Sequence, residues 1–255
     1  MGAVWPRSRG WTFNYCVTLI RKEIVVVFLR DRHKYLAEAV GTFGLVFAGT
    51  GAIVVNDVYG SVSHVGIALT FGLVVMVMIY ALGEVSGAHL NPAVTLGFWI
   101  DRQVAGAQVV PYIFAQVFGA LAASMTLRLL FLEHPNLGAT LPRGTWWQSM
   151  LLEFLLTSML MFVILRVSSG SKETRMMAGV AVGGTVGLEA LFAGPVCGAS
   201  MNPARSLAPA IVSGTWDYLW IYLTATIAGA MFAVLVNHLM DRSERKLESL
   251  VKENV

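Results

Sequence analysis

Six apolar stretches, each about as long as a bilayer is thick, constrain this chain more than any other feature of its sequence. A helix needs roughly 20 apolar residues to cross a membrane. Three of the stretches contain no Asp, Glu, Lys or Arg, and the other three contain one carboxylate each, Glu38, Glu153 and Glu189. The stretches are Tyr35–Asn56, Val58–Gly83, Gln103–Leu127, Trp146–Leu165, Met176–Phe192 and Tyr218–Met240. This pattern predicts an all-α membrane protein with six transmembrane helices.

The amino-acid composition excludes several other classes of protein. Only 13% of the residues are charged, whereas soluble domains contain about 25%, so neither a soluble enzyme nor a disordered chain fits. Cys16 and Cys197 are far apart and have no metal-ligand spacing, and the sequence contains no HExxH or GxSxG motif. We therefore expect no metal, no cofactor and no enzymatic activity.

The distribution of basic residues predicts how the chain lies in the membrane. An even number of spans places both termini on one side, and 15 of the 18 Lys and Arg residues then fall on that side. Only Arg128, Arg143 and Arg205 fall on the other side. Because basic loops are retained in the cytoplasm, we expect both termini to be cytoplasmic in a plasma or inner membrane. Basic residues that flank apolar spans do not indicate a nucleic-acid partner.

An internal repeat relates the two halves of the chain. The segment Gly87–Gly97 (GAHLNPAVTLG) matches Gly198–Ala208 (GASMNPARSLA) at six of 11 positions. Glu38 and Glu153 likewise occur early in the first span of each half. Each half contains three spans, an odd number, so the second half must be inverted relative to the first. Inverted repeats place the functional site near the middle of the membrane.

Each repeat contains an Asn-Pro-Ala motif in a segment that is apolar but too short to cross the membrane. Asn is a favoured N-cap and Pro a favoured first helical residue, so Asn91 and Asn202 predict the starts of two re-entrant half-helices. Non-helical backbone at membrane depth must be buried or line a wet cavity. Inversion makes the half-helices enter from opposite faces and meet at their N-termini. We expect the half-helices over Val94–Ile100 and Arg205–Val212, after non-helical stretches over Gly83–Leu90 and Gly194–Met201.

At these residues the sequence resembles the aquaporin and aquaglyceroporin family, the major intrinsic proteins. The resemblance covers residues 35–240 and rests on the paired motifs, on Arg205 after the second motif, on LAEAVGT around Glu38 and on SGAHLNPAVT. The segments FGLVVMVMIYALGEVSGAHLNPAVT and LFAGPVCGASMNPARSLAPA resemble the nodulin-26-like branch. The terminal tails differ from the plant type of that branch, which favours a prokaryotic relative.

The resemblance implies a passive channel for water and small uncharged solutes that excludes protons and ions. It implies a homotetramer in a lipid bilayer with one pore in each subunit. The carboxamide N–H groups of the two motif Asn residues would donate to solutes at the pore centre. The motif residues are Asn91, Pro92, Ala93, Asn202, Pro203 and Ala204. We expect the channel domain over 35–240, with halves over 35–132 and 146–240, a cytoplasmic segment over 1–34 and a cytoplasmic tail over 241–255.

The resemblance also assigns a selectivity constriction to Phe71, Ala190, Ala199 and Arg205. Two alanines imply a wide opening that admits glycerol-like polyols or metalloid hydroxides. Ser206 follows Arg205 where glycerol facilitators have Asp, so a water-selective channel is the alternative. An alternating-access transporter is the more distant alternative, because the spans contain carboxylates that could bind a coupling ion.

The spans also contain residues that we expect to support the re-entrant loops. Glu38 and Glu153 are expected to accept hydrogen bonds from loop backbone N–H groups, which have no other partners. His89 is expected to fasten the first loop. Glu189 has two interpretations: it faces away from the pore and pairs with a neighbouring helix, or it makes the pore mouth sensitive to pH.

Two further segments carry weaker signals. Arg21–Arg30 is either an amphipathic helix on the membrane surface or part of a disordered tail. The tail over 241–255 has the pattern of a solvated helix.

Gly179, Gly183 and Gly187 recur at every fourth position, which predicts close helix packing rather than chemistry.

Overall fold

In the computed structural model, the backbone is described for residues 13–253 and the side chains for residues 31–243. This part of the chain contains helices and no strands. The helices are α1 (Phe13–Tyr59), α2 (Ser63–Ser86), α3 (Pro92–Ile100), α4 (Gly106–Leu130), α5 (Trp146–Ser168), α6 (Lys172–Met176), α7 (Ala178–Cys197), α8 (Pro203–Ser213) and α9 (Leu219–Glu253). Six helices of the described part are long and apolar enough to span a membrane. The predicted all-α membrane fold with six spans is confirmed.

The spans begin and end at slightly different residues than the sequence pattern predicts. The first span ends at Tyr59, the last residue of α1, and the chain then turns at Gly60, whose φ is 66°. The backbone of Arg21–Arg30 belongs to the same continuous helix, while its side chains and residues 1–12 lie outside the described residues. The helical pattern of the C-terminal tail continues to Glu253.

The non-helical stretches before the half-helices are shorter than we predicted. Helix α2 continues to Ser86 and α7 to Cys197, so the expectation of non-helical backbone from Gly83 and Gly194 was wrong. The helices end where Gly87 and Gly198 each adopt a φ of 87°. These glycines donate their N–H groups to the carbonyls of Gly83 and Gly194, an end that glycine favours because it lacks a Cβ.

The two halves use the same helix packing. Helix α1 packs against α4, and its counterpart α5 packs against α9. A Cβ atom at Gly119 would overlap the carbonyl oxygen of Ala39, and a Cβ atom at Gly229 would overlap that of Phe154. Glycine is therefore required at equivalent places in both halves, where helix backbones touch.

Helices α2 and α7 join the halves through the predicted glycine stripe. A Cβ atom at Gly183 would lie 2.6 Å from the carbonyl oxygen of Gly72. Gly187 also lies against Gly72, while Gly179 packs against the ring of Tyr80. The close helix packing predicted for this stripe is confirmed.

Candidate functional site

The half-helices α3 and α8 begin at the two Asn-Pro-Ala motifs. Asn91 has an extended backbone, and its side-chain oxygen accepts a hydrogen bond from the Ala93 N–H at 2.9 Å. Asn202 has the same conformation and accepts from the Ala204 N–H at 3.0 Å. A proline follows each Asn as the first helical residue. Both residues therefore act as N-caps, as the Asn-Pro sequence predicts.

Each motif Asn also donates a hydrogen bond to the opposite loop. The side-chain nitrogen of Asn91 donates to the Met201 carbonyl at 2.7 Å, and that of Asn202 donates to the Leu90 carbonyl at 2.8 Å. These two bonds join the half-helix N-termini across more than 100 residues of sequence. Sequence reasoning missed them because a backbone carbonyl acceptor has no signature in the sequence. Each carboxamide has two N–H groups, so one on each Asn is left for another partner.

The loops before the half-helices share an unusual backbone conformation. Ala88 and Ala199 have φ values of 47° and 41°, and Leu90 and Met201 have values of 53° and 54°. Positive φ is uncommon for residues with a side chain and persists only where surrounding contacts hold it. The two loops are therefore copies of one strained conformation, and each needs support.

Glu38 supplies that support in the first half. It is fully buried, and its Oε1 accepts from the His89 N–H and the Ser86 hydroxyl at 2.9 and 2.7 Å. Its Oε2 accepts from the Leu90 N–H and the Gln116 amide at 2.7 and 2.8 Å. Two backbone N–H groups that the turn leaves without helical partners are thereby satisfied.

Glu153 holds the equivalent position in the second half. It is fully buried and accepts from the N–H groups of Ser200 and Met201 at 2.8 and 2.9 Å. The hydroxyl of Tyr222 donates to the Cys197 carbonyl at 2.8 Å, as the hydroxyl of Tyr112 does to the Ser86 carbonyl in the first half. The backbone contacts are thus repeated, whereas Ser86 and Gln116 give Glu38 additional side-chain donors.

His89 packs within the first loop. Its Nδ1 lies 3.1 Å from the Thr95 hydroxyl, and its ring centroid lies 4.7 Å from that of Phe98 and 4.9 Å from that of Tyr112. The residue is mostly buried. It also lines the cavity that lies beside the junction of the two half-helices. These contacts tie the loop to α3 and α4.

A cavity of about 120 Å³ runs past the junction of the half-helices. Asn91 and Asn202 both line it. Of the four residues assigned to the constriction, Phe71, Ala199 and Arg205 line this cavity. The remaining lining residues are mostly apolar and include Val75, Ile79, Val94, Leu160, Ile164, Val182 and Val186.

Ala190 is the member of the predicted constriction that does not line the cavity. It is buried, and Val186, one turn earlier on α7, lines the cavity instead. Ala178, Val182 and Val186 form a stripe of lining residues at helical spacing. The sequence contains this stripe, but the same spacing is also typical of ordinary helix packing.

Arg205 is held by two contacts. It is 2% exposed, and its Nη1 donates to the Gly138 carbonyl at 2.9 Å. Its guanidinium carbon lies 5.1 Å from the ring centroid of Phe71, within the range of a cation–π interaction. Its Nε has no hydrogen-bond partner among the described residues. Gly138 belongs to the connection between α4 and α5, and no sequence pattern indicates its contact with Arg205.

Glu189 agrees with the first of its two interpretations only in part, because it lies away from the cavity but has no helix partner among the described residues. It is fully buried, and its carboxylate oxygens have no hydrogen-bond partner in the part of the chain whose side chains are described. It is also absent from the cavity lining. Its neighbour Ala190 is also buried and absent from the cavity lining.

Comparisons with known proteins agree with this geometry. Residues 26–237 match the sequence pattern of the family described as Major intrinsic protein. The chain is 42% identical to Nodulin-26 of Glycine max over 245 residues, which cover 94% of this chain and 89% of that protein. It is 44% identical to a probable NIP-type aquaporin of Nicotiana alata over 89% of this chain and 84% of that protein. It is 51% identical to the aquaporin NIP1-4 of Oryza sativa subsp. japonica over 76% of this chain and 72% of that protein.

A solved structure also has this fold. The aquaglyceroporin from Plasmodium falciparum is similar with a TM-score of 0.70 and 26% identity, over 80% of this chain and 94% of that chain. The inverted pair of half-helices, the apolar spans and the nodulin-26-like relatives all lead to one assignment. The chain is a multi-pass membrane protein that belongs to the major intrinsic protein family.

Proposed function

We propose that this protein is a passive channel for water and small uncharged solutes, and that it excludes protons and ions. Its relatives include proteins named aquaporins, and a similar solved structure is an aquaglyceroporin. Membership of this family makes the chain a channel and not an enzyme. The observation that carries the proposal is the junction of two capped half-helix N-termini beside the central cavity.

The junction can select for neutral molecules. Each helix N-terminus contributes roughly +0.5 elementary charge, so two that meet inside a membrane repel cations and hydronium. The amide N–H groups left over on Asn91 and Asn202 donate to the oxygen of a passing water or hydroxyl. A water that accepts both bonds cannot accept a hydrogen bond from the neighbouring waters in the pore. Proton transfer along the row of waters is therefore interrupted at this point.

Arg205 supplies a second positive charge on the same path. The residue lines the cavity, and its guanidinium has N–H groups besides the one that donates to Gly138, so we assign it the role of donor to solute oxygens. Phe71 forms an apolar wall beside it. Ala199 adds little bulk, which supports passage of glycerol-like polyols and metalloid hydroxides as well as water. Ala190, behind the lining, would widen the site only indirectly.

The assembly and orientation follow the same reasoning. We propose a homotetramer with one pore in each subunit, in a plasma or inner membrane with both termini cytoplasmic. Large apolar side chains on α4, among them Val110, Phe114 and Leu129, are more than 70% exposed, so lipid or neighbouring subunits must cover them. Native mass spectrometry would measure the subunit number, and reporter fusions at residue 255 would measure the orientation.

Stopped-flow light scattering on proteoliposomes tests the function. We expect permeability above that of empty vesicles for water, glycerol and boric acid, linear in solute concentration and independent of ion gradients. Water permeability without glycerol permeability would replace the proposal with the water-selective channel. Dependence of the flux on an ion gradient would support an alternating-access transporter. Rates equal to those of empty vesicles for all three solutes would refute the proposal.

A further inference from the structure

We infer that Thr140, in the connection between α4 and α5, is a positioning residue for Arg205, because its hydroxyl ties the backbone that accepts from Arg205 to the start of α8. The inference rests on the proposed function in one respect, that Arg205 lies on the path of the solute. It is carried by a set of buried hydrogen bonds that differs between the two halves of the chain.

In the first half, a side chain on a spanning helix fixes the hydroxyl near the start of the half-helix. Thr95, in the first turn of α3, donates to the Asn91 carbonyl at 3.1 Å. The same hydroxyl accepts from the amide of Gln116, on α4, at 2.9 Å. Thr95 and Gln116 are both fully buried. The half-helix is thus joined to α4 by a hydrogen bond that has no contact with bulk water.

The second half has no such donor on the equivalent spanning helix. Ser206 corresponds to Thr95 in the motif repeat. Thr226 corresponds to Gln116, because each lies four residues after the tyrosine whose hydroxyl bonds the last residue of α2 or α7. The Thr226 hydroxyl donates to a carbonyl of its own helix at 2.6 Å, and a hydroxyl has only one proton. Thr226 therefore donates no hydrogen bond to Ser206.

Thr140 supplies the missing donor from the connection. Its hydroxyl donates to the Ser206 hydroxyl at 2.8 Å. The Ser200 hydroxyl donates to the Asn202 carbonyl at 2.9 Å. The hydrogen bond between the Ser206 and Ser200 hydroxyls must then use the proton of Ser206, because each hydroxyl has only one. Three buried hydroxyls therefore form one chain from the connection to the residue that caps α8.

The methyl group of Thr140 is held as well. A Cβ atom at Gly198, where α7 ends, would lie 3.2 Å from Thr140 Cγ2, so the methyl group packs into the space that this glycine leaves open. A β-branched side chain has little freedom at χ1. Contacts on both branches therefore fix the backbone of the connection at Thr140.

Gly138 lies two residues earlier, in a turn whose shape is fixed internally. Within Asn136–Ala139, one hydrogen bond of 2.9 Å joins the ends of the turn and another of 3.1 Å satisfies the Gly138 N–H. These bonds do not place the turn relative to α8. Among the described residues, the connection is hydrogen-bonded to α8 by Thr140 with Ser206 and by Gly138 with Arg205. The position of the carbonyl that Arg205 needs thus depends on Thr140.

Loss of the Thr140 hydroxyl would affect the cavity through Arg205. The turn would be released from α8, and the Gly138 carbonyl would no longer have a fixed place. A buried guanidinium that loses its acceptor turns toward other polar groups or water, and Arg205 already lines the cavity. A guanidinium that extends into the cavity obstructs a wide solute more than a narrow one. The ratio of glycerol permeability to water permeability should therefore fall.

Stopped-flow light scattering on proteoliposomes tests the inference through that ratio. Thr140→Val keeps the shape of the side chain and removes the hydroxyl, and we expect the ratio to fall at least twofold. Thr140→Ser keeps the hydroxyl and should keep the wild-type ratio. Thr226→Val is the matched control, because it removes a buried threonine hydroxyl that bonds within its own helix. It should also keep the wild-type ratio.

A double variant separates positioning from a loss of stability. If Thr140 acts through Arg205, Thr140→Val should cause no further change in the ratio once Arg205→Val is present. A purely structural role would lower the melting midpoint or the amount of active channel and leave the ratio as it is. Ser206→Ala removes the acceptor of Thr140 and should reproduce the decrease, which keeps a test available if Thr140→Val folds poorly.

The outcomes also separate the inference from the proposed function. A wild-type channel that conducts glycerol, together with an unchanged ratio in Thr140→Val, overturns the inference and leaves the function standing. An equal decrease in Thr226→Val, or a full decrease in the Arg205→Val background, overturns it as well. Wild-type glycerol rates equal to those of empty vesicles refute the proposed passage of glycerol and, with it, the role assigned to Thr140.

Discussion

Replacement of Glu153 by glutamine tests whether the second re-entrant loop depends on a single buried carboxylate. Glu153 presents two oxygens to two backbone N–H groups, those of Ser200 and Met201. Glutamine has one acceptor oxygen, so one of these buried donors loses its partner. An unsatisfied buried donor costs about 1–3 kcal/mol. Glu153→Leu removes both acceptors and should cost about 2–6 kcal/mol.

Glu189 offers a matched control on the same half of the chain. It is also a fully buried glutamate in a membrane span, but its carboxylate has no hydrogen-bond partner among the described residues. We expect Glu189→Gln to leave the stability unchanged, because no hydrogen bond is lost. Glu189→Leu should raise it, because burial of a polar group without a partner is unfavourable.

Thermal unfolding of the purified protein in detergent measures these differences. A change of 1 kcal/mol shifts the midpoint of a chain of this size by about 2–4 °C, so Glu153→Gln should lower it by about 2–12 °C. Because the loop leads directly into Asn202 and Arg205, glycerol permeability of the variant should also fall. A midpoint for Glu153→Gln equal to that of the wild type would refute the reasoning. So would an equal decrease in Glu189→Gln, which would indicate a general sensitivity to loss of buried carboxylates.

Three further substitutions test other parts of the structure. Gly229→Ala places a Cβ atom against the Phe154 carbonyl and should destabilise the protein by about 1–3 kcal/mol. Its control, Gly184→Ala, lies at an open helical position and should leave the melting midpoint equal or higher. Asn202→Ala removes a helix cap worth about 0.5–2 kcal/mol and the hydrogen bond to the Leu90 carbonyl. The proton leak into vesicles, measured with a trapped pH-sensitive dye, should therefore rise. An unchanged leak would contradict the proposed proton barrier. Arg205→Val should widen the cavity and admit polyols larger than glycerol, such as sorbitol, in liposome swelling assays, and exclusion of sorbitol by this variant would count against Arg205 as the narrowing residue.

The sequence predicts those features that depend on the local chemistry of a few residues or on a regular spacing of one residue type. Apolar runs identify the six spans, the Asn-Pro pairs identify the half-helix starts, and the glycine stripe identifies the contact of α2 with α7. Lone carboxylates in apolar spans, Glu38 and Glu153, indicate buried acceptors because a charge in a membrane needs partners. Each of these inferences uses a local residue preference, although Glu189, a third lone carboxylate in a span, has no hydrogen-bond donor among the described residues.

The sequence does not predict contacts between distant residues when one partner is a backbone carbonyl. The bonds from Asn91 to Met201 and from Arg205 to Gly138 are of this kind. Any residue supplies a carbonyl, so nothing in the sequence distinguishes Gly138 from its neighbours. The exclusion of Ala190 from the cavity lining has a related cause, since a rotation of α7 by a fraction of a turn decides which of its small residues face the pore.

The duplication explains why one half of the channel carries more of the proposed selectivity than the other. The two loops share their backbone angles and their buried glutamates, so the proposed barrier to protons is built from symmetric parts. The residues that follow the motifs are Val94 and Arg205, which both line the cavity and differ in charge and size. Only one of them requires a fixed hydrogen-bond acceptor, and the connection that carries Gly138 provides it. In the proposed function, the symmetric backbone excludes ions at the centre, and the divergence of one pair of side chains places solute selection at one end of the cavity, where Gly138 accepts from Arg205.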